Sequence, residues 1–393
     1  MRILMVSDVY FPRVNGVSTS MQTFAGALKH EQIEVRLVVP RYAEEAESSD
    51  IIRVRGRRVP GDREDRLVGW HAMHEATLAA ARDCDLVHIQ TPFVAHYAGL
   101  RAARQLGLPV LATYHTLFEE YLQHYAPLLP KAWLKAGARA LSRSQCNALD
   151  GIIVPSSAMR HRLGDYGVTK PMHVLPTGIP LAQFAHGDGA AFRDRHGIPP
   201  QQPLALYVGR IAHEKNIGFL FQALHHARRV CPDALLLVAG EGPAQAALHA
   251  QAEQLGLSQA IRFLGYLDRR RELPDCYAAA DVFAFASRTE TQGLVLLEAM
   301  AAGLPVIALA EMGTADILTP GKGSLIGPDD PRGFGDLLGH YLRRPSAWAH
   351  LRQEAPIYAR EWSDGEQARR LAALYRALHQ QAAPALDQHP ESA

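Results

Sequence analysis

Two glutamates eight residues apart, Glu290 and Glu298, are the side chains best suited to bind a ligand rich in hydroxyl groups. A carboxylate accepts hydrogen bonds from hydroxyls, so it suits a hexose and a ribose equally. Eight helical residues would separate the two by about 12 Å, comparable to the reach of a nucleotide-sugar from hexose to ribose. The alternative is that both glutamates stabilise a helix dipole or face water.

The elements around these glutamates favour a phosphate nearby. Apolar runs at 281–286 and 306–310 predict buried parallel strands, because both are short and bounded by turn residues. Between them a helix is predicted from about Gly293 to Ala302, where Gly303 ends it. A helix N-terminus at the carboxyl edge of a parallel sheet offers free N–H groups and a positive dipole to a phosphate.

A second charged pair, Arg210 and Lys215, lies in the segment VGRIAHEKN at 208–216, directly after a predicted strand. A guanidinium and an ammonium at this edge of a sheet suit a diphosphate, because they would neutralise charge on a departing phosphate. The alternative is a solvated surface loop. A solvated loop is the less favoured interpretation, because this loop and the two glutamates belong to the same half of one predicted sheet.

The first predicted strand is followed by Asn15 and Gly16, before a helix predicted from about Thr19. A glycine at such a turn lets the backbone approach a ligand closely. A tight turn without a ligand explains the same residues equally well.

Short apolar strands alternate with helical patterns along the chain, which predicts doubly wound parallel sheets. The predicted strands are 1–7, 33–39, 85–89, 109–114, 151–155 and 172–176, then 204–208, 234–239, 261–264, 281–286, 306–310 and 325–326. We therefore expect an N-terminal domain at 1–176, a linker at 177–203, a C-terminal domain at 204–345, and a helical tail at 346–393 that packs partly on the N-terminal domain.

The composition is that of an ordinary globular chain of 393 residues, 48% apolar and 21% charged. Its 41 basic and 40 acidic residues almost cancel, which argues against nucleic acid as a partner. The N-terminus begins on a strand without signal-peptide features, and no apolar run is long enough to span a membrane, so a cytoplasmic protein is expected. The four cysteines lack C-x-x-C spacing and are expected to be reduced.

Three other patterns in the sequence resemble cofactor or metal sites but lack features that such sites need. Residues 240–245 look like a dinucleotide-binding fingerprint, but they lack its third glycine and its later acidic residue. The D-x-D sequence at 83–85 has a spacing that suits a divalent metal, yet it leads into a strand and is interpreted as a strand cap. None of the 19 histidines lies in a zinc-binding context, so no metal and no other cofactor is predicted.

Motifs in both halves of the chain carry a family resemblance. They are PRVNGVS at 12–18, YHTLFEEY at 114–121, VPSSAMRHRLGDYGV at 154–168, LPTGI at 175–179, YVGRIAHEKN at 207–216, AGEGP at 239–243 and the pair of glutamates at 290 and 298. The chain resembles the retaining glycosyltransferases of family GT4, most of all those that glycosylate diacylglycerol. That resemblance implies the GT-B fold, in which two Rossmann-like, doubly wound parallel-sheet domains of the α/β class face each other across a cleft.

The resemblance also implies roles for individual residues. Arg210 and Lys215 would hold the donor diphosphate, and Glu298 would hold the ribose. His115, at the end of its strand, would reach the donor sugar, although a lone histidine is often only structural. The remaining implied donor contacts are Gly16, Gly209, Glu290, Thr291, Gln292, Gly293 and Leu294. One departure is EMGTAD at 311–316, where many relatives have a G-G-x-x-E sequence.

The expected reaction moves a hexose from a nucleotide-diphosphate sugar, most simply UDP-glucose, to a lipid such as diacylglycerol. The alternative is a GDP-mannose-dependent mannosyltransferase with a phosphatidylinositol-type or soluble glycan acceptor. Front-face displacement is favoured, because no two carboxylates of the motifs are placed as nucleophile and acid. A non-catalytic glycan-binding protein is disfavoured, because it would be expected to lack at least one of four residues that are all present: Arg210, Lys215, Glu290 and Glu298. A phosphorylase is disfavoured because no motif identifies a pyridoxal-phosphate lysine.

Residues 117–145 are predicted to form a membrane-surface element. Basic side chains recur every four residues and line one helix face: Lys131, Lys135, Arg139 and Arg143. Roughly opposite fall Trp133, Leu134, Gly137, Ala138 and Leu141, and an aromatic approach precedes them with Phe118, Tyr121 and Tyr125. Such a helix could bind an anionic membrane surface and present the lipid acceptor. The alternative is an ordinary surface helix whose apolar face packs on the sheet.

Overall fold

The computed structural model describes residues 1–13, 15–43, 45, 48–59, 62–115 and 131–382, with only the backbone at 59, 62–65 and 131–132. The chain divides into two compact units. The first comprises Met1–Gly178 together with the segment that starts at Asp364, and the second comprises Ile179–Ser363. Each unit is built around one sheet of mainly parallel strands, which confirms the predicted α/β class with two Rossmann-like domains.

All the predicted strands are present. The strands are β1 (Arg2–Val6), β2 (Glu34–Arg41), β3 (Ile51–Val59), β4 (Asp62–Val68), β5 (Leu86–Ile89), β6 (Val110–Thr113), β7 (Gly151–Val154), β8 (Met172–Val174), β9 (Leu204–Val208), β10 (Leu235–Ala239), β11 (Ile261–Gly265), β12 (Val282–Phe285), β13 (Val306–Ala308) and β14 (Ser324–Ile326). Strands in the interior of the sheets are short and largely apolar, as in the five residues of β9 and of β10, because helices cover both faces of such a sheet.

Helices connect these strands and cover the sheets. The helices are α1 (Gly16–Ala27), α2 (Trp70–Ala81), α3 (Val94–Leu106), α4 (Lys131–Asn147), α5 (Ser157–Asp165), α6 (Leu181–Phe184), α7 (Gly189–Arg195), α8 (Ile217–Ala227), α9 (Gln245–Gln254), α10 (Glu272–Ala279), α11 (Leu294–Ala301), α12 (Thr314–Ile317), α13 (Pro331–Arg343), α14 (Ala349–Ala359) and α15 (Asp364–Ala382). Several begin at the capping residues that the sequence supplies. The side chain of Asp330, for example, accepts the N–H of Gly333 at 2.7 Å.

The first sheet has the strand order β4-β3-β2-β1-β5-β6-β7-β8. The hairpin of β3 and β4 at one edge, paired antiparallel, was missed by the sequence analysis. Strand β3 carries arginines at Arg53, Arg55 and Arg57, and alternation of this kind is the signature of a strand with one exposed face.

The second sheet has the strand order β11-β10-β9-β12-β13-β14. Counted within this unit, the order is 3-2-1-4-5-6, the doubly wound arrangement of dinucleotide-binding domains. The direction of winding reverses between the neighbouring strands β9 and β12. In open parallel sheets, ligands bind in the crevice beyond the carboxyl ends of the two strands at that point.

The domain boundaries differ from the expected ones. From Ile179 onward, the predicted linker at 177–203 belongs to the second unit, where Phe184 and Phe192 are buried in the core. The backbone of this segment packs closely on the second unit. A Cβ atom on Gly189 would lie only 2.4 Å from the carbonyl oxygen of Ala278, so the two backbones are in direct contact there.

The predicted tail is also divided between the units. Helix α14 packs in the second unit, where Leu351 is fully buried. Helix α15 instead joins the first unit, where Leu371 and Tyr375 lie in the core. The hydroxyl of Tyr375 contacts Nδ1 of His88 at 2.7 Å, and this contact ties α15 to the middle of the first sheet.

Among the described residues, no helix is both long and apolar enough to cross a membrane. Across the described ranges, no group of three or more histidine, cysteine or acidic side chains is arranged to hold a metal ion. The four cysteines are buried and unpaired.

Candidate active site

The point where the second sheet reverses its winding brings together two loops that sequence analysis singled out. The loop after β9 carries Arg210 and Lys215, and the loop after β12 carries Glu290. The ammonium of Lys215 lies 2.5 Å from Oε1 of Glu290, and both side chains are about four-fifths buried. Arg210 is exposed at the same edge of the sheet. The structure therefore joins two of the predicted residues in one ion pair, at the position where this fold binds ligands.

Backbone contacts hold these two loops in register. Asn216, with φ of 54° and ψ of 34°, turns the first loop into α8 and donates from Nδ2 to the carbonyl of Ala286 at 3.1 Å. Thr289 Oγ1 donates to the carbonyl of Glu214 at 3.4 Å. The N–H of Gly313 donates to the carbonyl of Glu290 at 2.8 Å. The Lys215–Glu290 pair is therefore fixed from three neighbouring segments.

Helix α11 begins within this loop. Gly293 precedes it with φ of 97°, in the left-handed region that favours glycine, and no side chain caps the helix. Gln292 is buried beside it, whereas Thr291 and Leu294 are partly exposed. The uncapped N–H groups and the positive end of the helix dipole lie at the carboxyl edge of the sheet, which suits a phosphate.

The segment 311–316, which departs from the family pattern, packs against the loop that leads into α11. A Cβ atom on Gly313 would lie 2.2 Å from the carbonyl oxygen of Thr291 and 2.5 Å from the nitrogen of Gln292. Only a glycine allows this approach. Thr314 fixes the segment because its hydroxyl donates to the carbonyl of Leu309 at 2.8 Å.

The G-x-G sequence at 240–242 has a packing explanation. A Cβ atom on Gly240 would lie 2.0 Å from the carbonyl oxygen of Gly209, and one on Gly242 would lie 2.2 Å from that of Ile211. These glycines let the loops after β9 and β10 touch through their backbones, and the N–H of Ile211 donates to the carbonyl of Glu241 at 2.9 Å. They position the loop that bears Arg210.

Glu298 lies apart from the Lys215–Glu290 pair and has no exposed surface. One of its oxygens pairs with the guanidinium of Arg269, and the other accepts the hydroxyl of Tyr277 at 3.0 Å. Burial raises the pKa of Glu298, and Arg269 opposes that rise. The implied ribose contact therefore stays a prediction that requires the Arg269 contact to open. Arg269 and Tyr277 could not be predicted from the sequence, because neither lies in a motif of its own.

The carboxyl edge of the first sheet carries a separate polar cluster. Asp8, two residues after the end of β1, accepts the hydroxyl of Thr91 at 2.7 Å and the N–H of Ala95 at 3.1 Å. Burial raises the pKa of Asp8, and these hydrogen bonds oppose the rise. Asp8 therefore ties the loop after β1 to the N-terminus of α3. Its place immediately after a strand was the signal in the sequence.

His115 follows β6 at the same edge. Its Nε2 lies 3.0 Å from Oε1 of Gln90, the residue that follows β5. Burial lowers the pKa of His115 to about 4, so its imidazole is neutral at physiological pH. His115 therefore lies at the carboxyl edge of the first sheet, as its predicted place at the end of a strand implies. Its catalytic role stays a prediction.

Helix α1 begins at Gly16, three residues before the predicted start. The side chain of Asn15 caps it by accepting the N–H of Ser18 at 2.8 Å. No atom lies within 4 Å of the place where a Cβ atom on Gly16 would stand, so packing does not require a glycine there. Arg53, from the missed strand β3, holds the preceding loop by donating to the carbonyl of Phe11 at 2.7 Å.

Helix α4 presents an apolar outward face with basic residues on one flank. Trp133 is 76% exposed and Leu141 is 49% exposed, whereas Ala138 and Ser142 are buried. Ala138, one of the residues predicted to fall roughly opposite the basic ones, therefore faces inward. The basic flank forms a surface groove lined by Lys135, Arg139 and Arg143 together with Asp165 and Tyr166. Phe118, Tyr121, Tyr125 and the side chain of Lys131 lie outside the described residues.

Comparison with solved structures agrees with this architecture. The Anabaena protein HepE, solved in complex with UDP, matches 99% of this chain and 100% of its own with a TM-score of 0.73 and 17% sequence identity. The fold is that of the GT-B glycosyltransferases, which confirms the expected fold class.

Sequence comparison defines the family. The Glycosyltransferase Family 4 profile matches residues 14–183, and the Glycosyl transferases group 1 profile matches residues 188–362. An alpha-monoglucosyldiacylglycerol synthase of Streptococcus pneumoniae is 34% identical over 78% of this chain and 71% of its own length. A GDP-mannose-dependent alpha-mannosyltransferase of Mycobacterium tuberculosis is 29% identical over 91% of this chain and 90% of its own length. The chain belongs to glycosyltransferase family 4, and the predicted resemblance to diacylglycerol glycosyltransferases is confirmed.

Proposed function

We propose that this glycosyltransferase moves a hexose from a nucleotide-diphosphate sugar of the UDP-glucose type to a lipid acceptor such as diacylglycerol, with retention of the anomeric configuration. The observation that carries the proposal is the Lys215–Glu290 ion pair at the point where the second sheet reverses its winding. An ammonium and a carboxylate side by side match a ligand that carries a diphosphate next to sugar hydroxyls.

In the proposed reaction, the bond from the sugar C1 to the leaving phosphate oxygen breaks, and the acceptor oxygen bonds to C1 on the same face. The departing phosphate oxygen takes the proton of the acceptor hydroxyl. Arg210 and Lys215 stabilise the charge that grows on that phosphate. Glu290 accepts hydrogen bonds from the sugar, and the first N–H groups of α11, after Gly293, bind the phosphate. No resident metal is part of this proposal.

Two residues of the first unit, each considered by itself, have surroundings that suit contact with a donor. The space beside Gly16 leaves room for a ligand to approach the start of α1, where N–H groups favour an anion. His115 is neutral, so it can exchange hydrogen bonds with a sugar hydroxyl without adding charge.

Helix α4 supports a lipid acceptor. An exposed tryptophan and an exposed leucine next to a basic flank are the features of a helix that lies in a membrane interface. Each basic residue near an anionic leaflet contributes roughly 1 kcal/mol, which gives reversible, salt-sensitive binding. We place the protein on the inner face of the cytoplasmic membrane as a peripheral enzyme on this basis. The S. pneumoniae relative is named for a diacylglycerol product, which agrees with this acceptor class.

A donor and acceptor panel tests the proposal. Purified enzyme is incubated with UDP-glucose, UDP-galactose or GDP-mannose, each with diacylglycerol or phosphatidylinositol in mixed micelles, and products are identified by mass spectrometry and by the anomeric proton signal. We expect an α-linked hexosyl-diacylglycerol from a UDP-hexose. Transfer from GDP-mannose alone would favour the second candidate function, a GDP-mannose-dependent mannosyltransferase. The M. tuberculosis relative supports that candidate, because it aligns with 91% of this chain. No transfer from any of these donors would contradict the proposal.

A vesicle experiment tests the membrane surface. Wild-type protein should co-sediment with vesicles that contain phosphatidylglycerol and should be released as salt rises. Replacing Lys131, Lys135, Arg139 and Arg143 with glutamine should abolish binding and leave donor affinity unchanged. The matched control replaces four other exposed basic residues of the same unit, Arg55, Arg57, Arg58 and Arg101, which removes the same charge. Equal loss in both variants would contradict a role specific to α4.

A further inference from the structure

Glu298, on helix α11 of the second unit, is a buried carboxylate with two partners of different kinds. Its side chain is only 1% exposed. One oxygen pairs with the guanidinium of Arg269, and the other accepts the hydroxyl of Tyr277 at 3.0 Å. An ionised carboxylate has about four lone-pair sites on its two oxygens, so these two contacts do not exhaust it. Glu298 therefore has the capacity to accept hydrogen bonds from neighbouring hydroxyls, such as the pair on a ribose.

The two partners of Glu298 differ in how firmly the fold holds them. Tyr277 is fully buried. Its ring centroid lies 5.9 Å from that of Phe184 and 6.0 Å from that of Phe283, within the close-packed core of the second unit. The side chain of Arg269, in contrast, is 36% exposed. Arg269 is therefore the partner that a ligand from solvent can displace, and Tyr277 is the fixed one.

The charge of Glu298 depends on the same two partners. Burial raises its pKa, whereas Arg269 and the hydroxyl of Tyr277 lower it. Within the described part of the chain, these are the two titratable groups that oppose the effect of burial on this carboxyl. A hydroxyl that donates to the ionised form favours that form. When Arg269 moves aside, Tyr277 is the group in the core that keeps the carboxylate ionised and in place.

The position of Glu298 along α11 fits the proposed phosphate site. The helix begins at Leu294, and Glu298 is its fifth residue. Four residues of rise place Glu298 about 6 Å along the axis from the start of the helix. A diphosphate bound at the first N–H groups of α11 would carry its ribose a few bonds away, so the carboxylate lies within reach of the ribose hydroxyls.

We propose that Tyr277 is a positioning residue for the donor nucleotide, which fixes the Glu298 carboxylate so that the oxygen now paired with Arg269 accepts a ribose hydroxyl. This inference rests on the proposed function, because it assigns Glu298 to the nucleotide of the donor. Tyr277 acts only through Glu298.

The probe is a pair of nucleotides that differ only in the ribose hydroxyls. UDP and dideoxy-UDP, which lacks both of these hydroxyls, are titrated into the full-length protein in a calorimeter. GDP and its dideoxy analogue are used in the same way if the wild type prefers guanine. The ratio of the two dissociation constants reports the ribose contact alone, because both ligands share the base, the diphosphate and its titration.

Three variants separate positioning from packing. Tyr277→Phe removes the hydroxyl and keeps the ring, and Glu298→Gln removes the charge with little change of shape. Tyr341→Phe is the matched control, because Tyr341 is also a buried tyrosine of the second unit, and its hydroxyl donates to the carbonyl of Asp281 at 3.2 Å. Both tyrosine variants lose one hydrogen bond of a buried phenol, so both should lower the Tm.

The ratio of dissociation constants should respond only to the variants that touch Glu298. The wild type should bind UDP about tenfold or more tightly than dideoxy-UDP, because hydrogen bonds to a charged group are the strong ones. Glu298→Gln should bring the ratio close to one, Tyr277→Phe should lower it about threefold or more, and Tyr341→Phe should leave it unchanged. A wild-type ratio of one, or a wild-type ratio in Tyr277→Phe, would overturn the proposal.

The pH dependence of the same ratio gives a readout that packing alone would not move. Loss of the Tyr277 hydroxyl raises the pKa of Glu298 further, so the protonated form takes over at higher pH. As the pH is lowered, the ratio should therefore fall earlier in Tyr277→Phe than in the wild type. A ratio that is reduced by the same factor at every pH would mean a packing role and would overturn the proposal.

A double variant checks that Tyr277 acts only through Glu298. Tyr277→Phe combined with Glu298→Gln should bind UDP as tightly as Glu298→Gln alone, and a further loss of affinity would contradict the positioning role. Because the double variant buries no charge, this comparison remains decisive if Tyr277→Phe alone fails to fold.

Failure of the inference and failure of the proposed function give different results. If the wild type binds UDP and transfers hexose but shows a ratio of one, the positioning role is refuted and the glycosyltransferase proposal stands. If the wild type binds neither UDP nor GDP and transfers no hexose, the proposed function fails, and the inference fails with it.

Discussion

Gly313→Ala is the substitution that most directly perturbs the proposed donor loop without touching a charged group. The new Cβ atom would lie 2.2 Å from the carbonyl oxygen of Thr291, and ordinary contacts begin at 3.4 Å. The backbone of Thr291 and Gln292 must therefore move by about 1 Å, and a displacement of that size in a positioning element costs about 10²-fold in rate. Overpacking of this kind also destabilises a protein by about 1–3 kcal/mol.

Two assays on the same variant check this. Thermal unfolding should show a lower Tm, by about 2–12 °C for a unit of this size. Steady-state transfer, measured well below that Tm, should show kcat/KM reduced by about 10²-fold. Gly164→Ala is the control, because a Cβ atom there meets nothing within 4 Å. Since the residue lies inside α5 and alanine is the better helix former, Tm should stay at or slightly above the wild-type value, and kcat/KM should not change. A variant with a lower Tm but wild-type kcat/KM would refute the assignment of this loop to the donor.

Further predictions concern charge, space, pH and metal. Arg210→Ala combined with Lys215→Ala should lower kcat by about 10²-fold or more while donor affinity changes less, because phosphate charge grows as the bond breaks; wild-type kcat would contradict this. Gly16→Ala should leave Tm unchanged and weaken ligand binding, since only a ligand could meet the new methyl group, and calorimetry with UDP and with acceptor would test it. Burial lowers the pKa of His96 and His115 to about 4, below the unfolded value of 6.5. The stability that these neutral histidines contribute above pH 6.5 should therefore fall as the pH drops toward 4, and urea unfolding midpoints measured against pH would show it. EDTA should leave the initial transfer rate unchanged, because side chains are proposed to neutralise the diphosphate.

The parallel strands and the loops proposed to bind the donor could be predicted because their signals are local. A buried parallel strand is a short apolar run. The helix after Gly293 is predicted by a glycine at each end, Gly293 before it and Gly303 after it. The spacing of Arg210, Lys215 and Glu290 relative to two strands was enough to place them at one edge, since strand order in such folds is limited. The Lys215–Glu290 ion pair is the result.

The positions that could not be predicted depend on contacts between distant segments. Glu298 was predicted to be a site residue, and its burial against Arg269 and Tyr277 depends on side chains that come together only in the folded unit. The assignment of Phe184 to the second core depends on backbone packing that no local pattern encodes. Gln90 is adjacent to a strand end, yet its contact with His115 follows from the pairing of β5 with β6.

The measurement that tests the central claim most directly is a crystal structure of this enzyme with UDP or a non-hydrolysable UDP-hexose. We predict that the diphosphate lies within hydrogen-bond distance of Arg210, Lys215 and the first N–H groups of α11, with the sugar hydroxyls on Glu290. A nucleotide bound elsewhere on the second unit, with the Lys215–Glu290 pair undisturbed, would contradict the account.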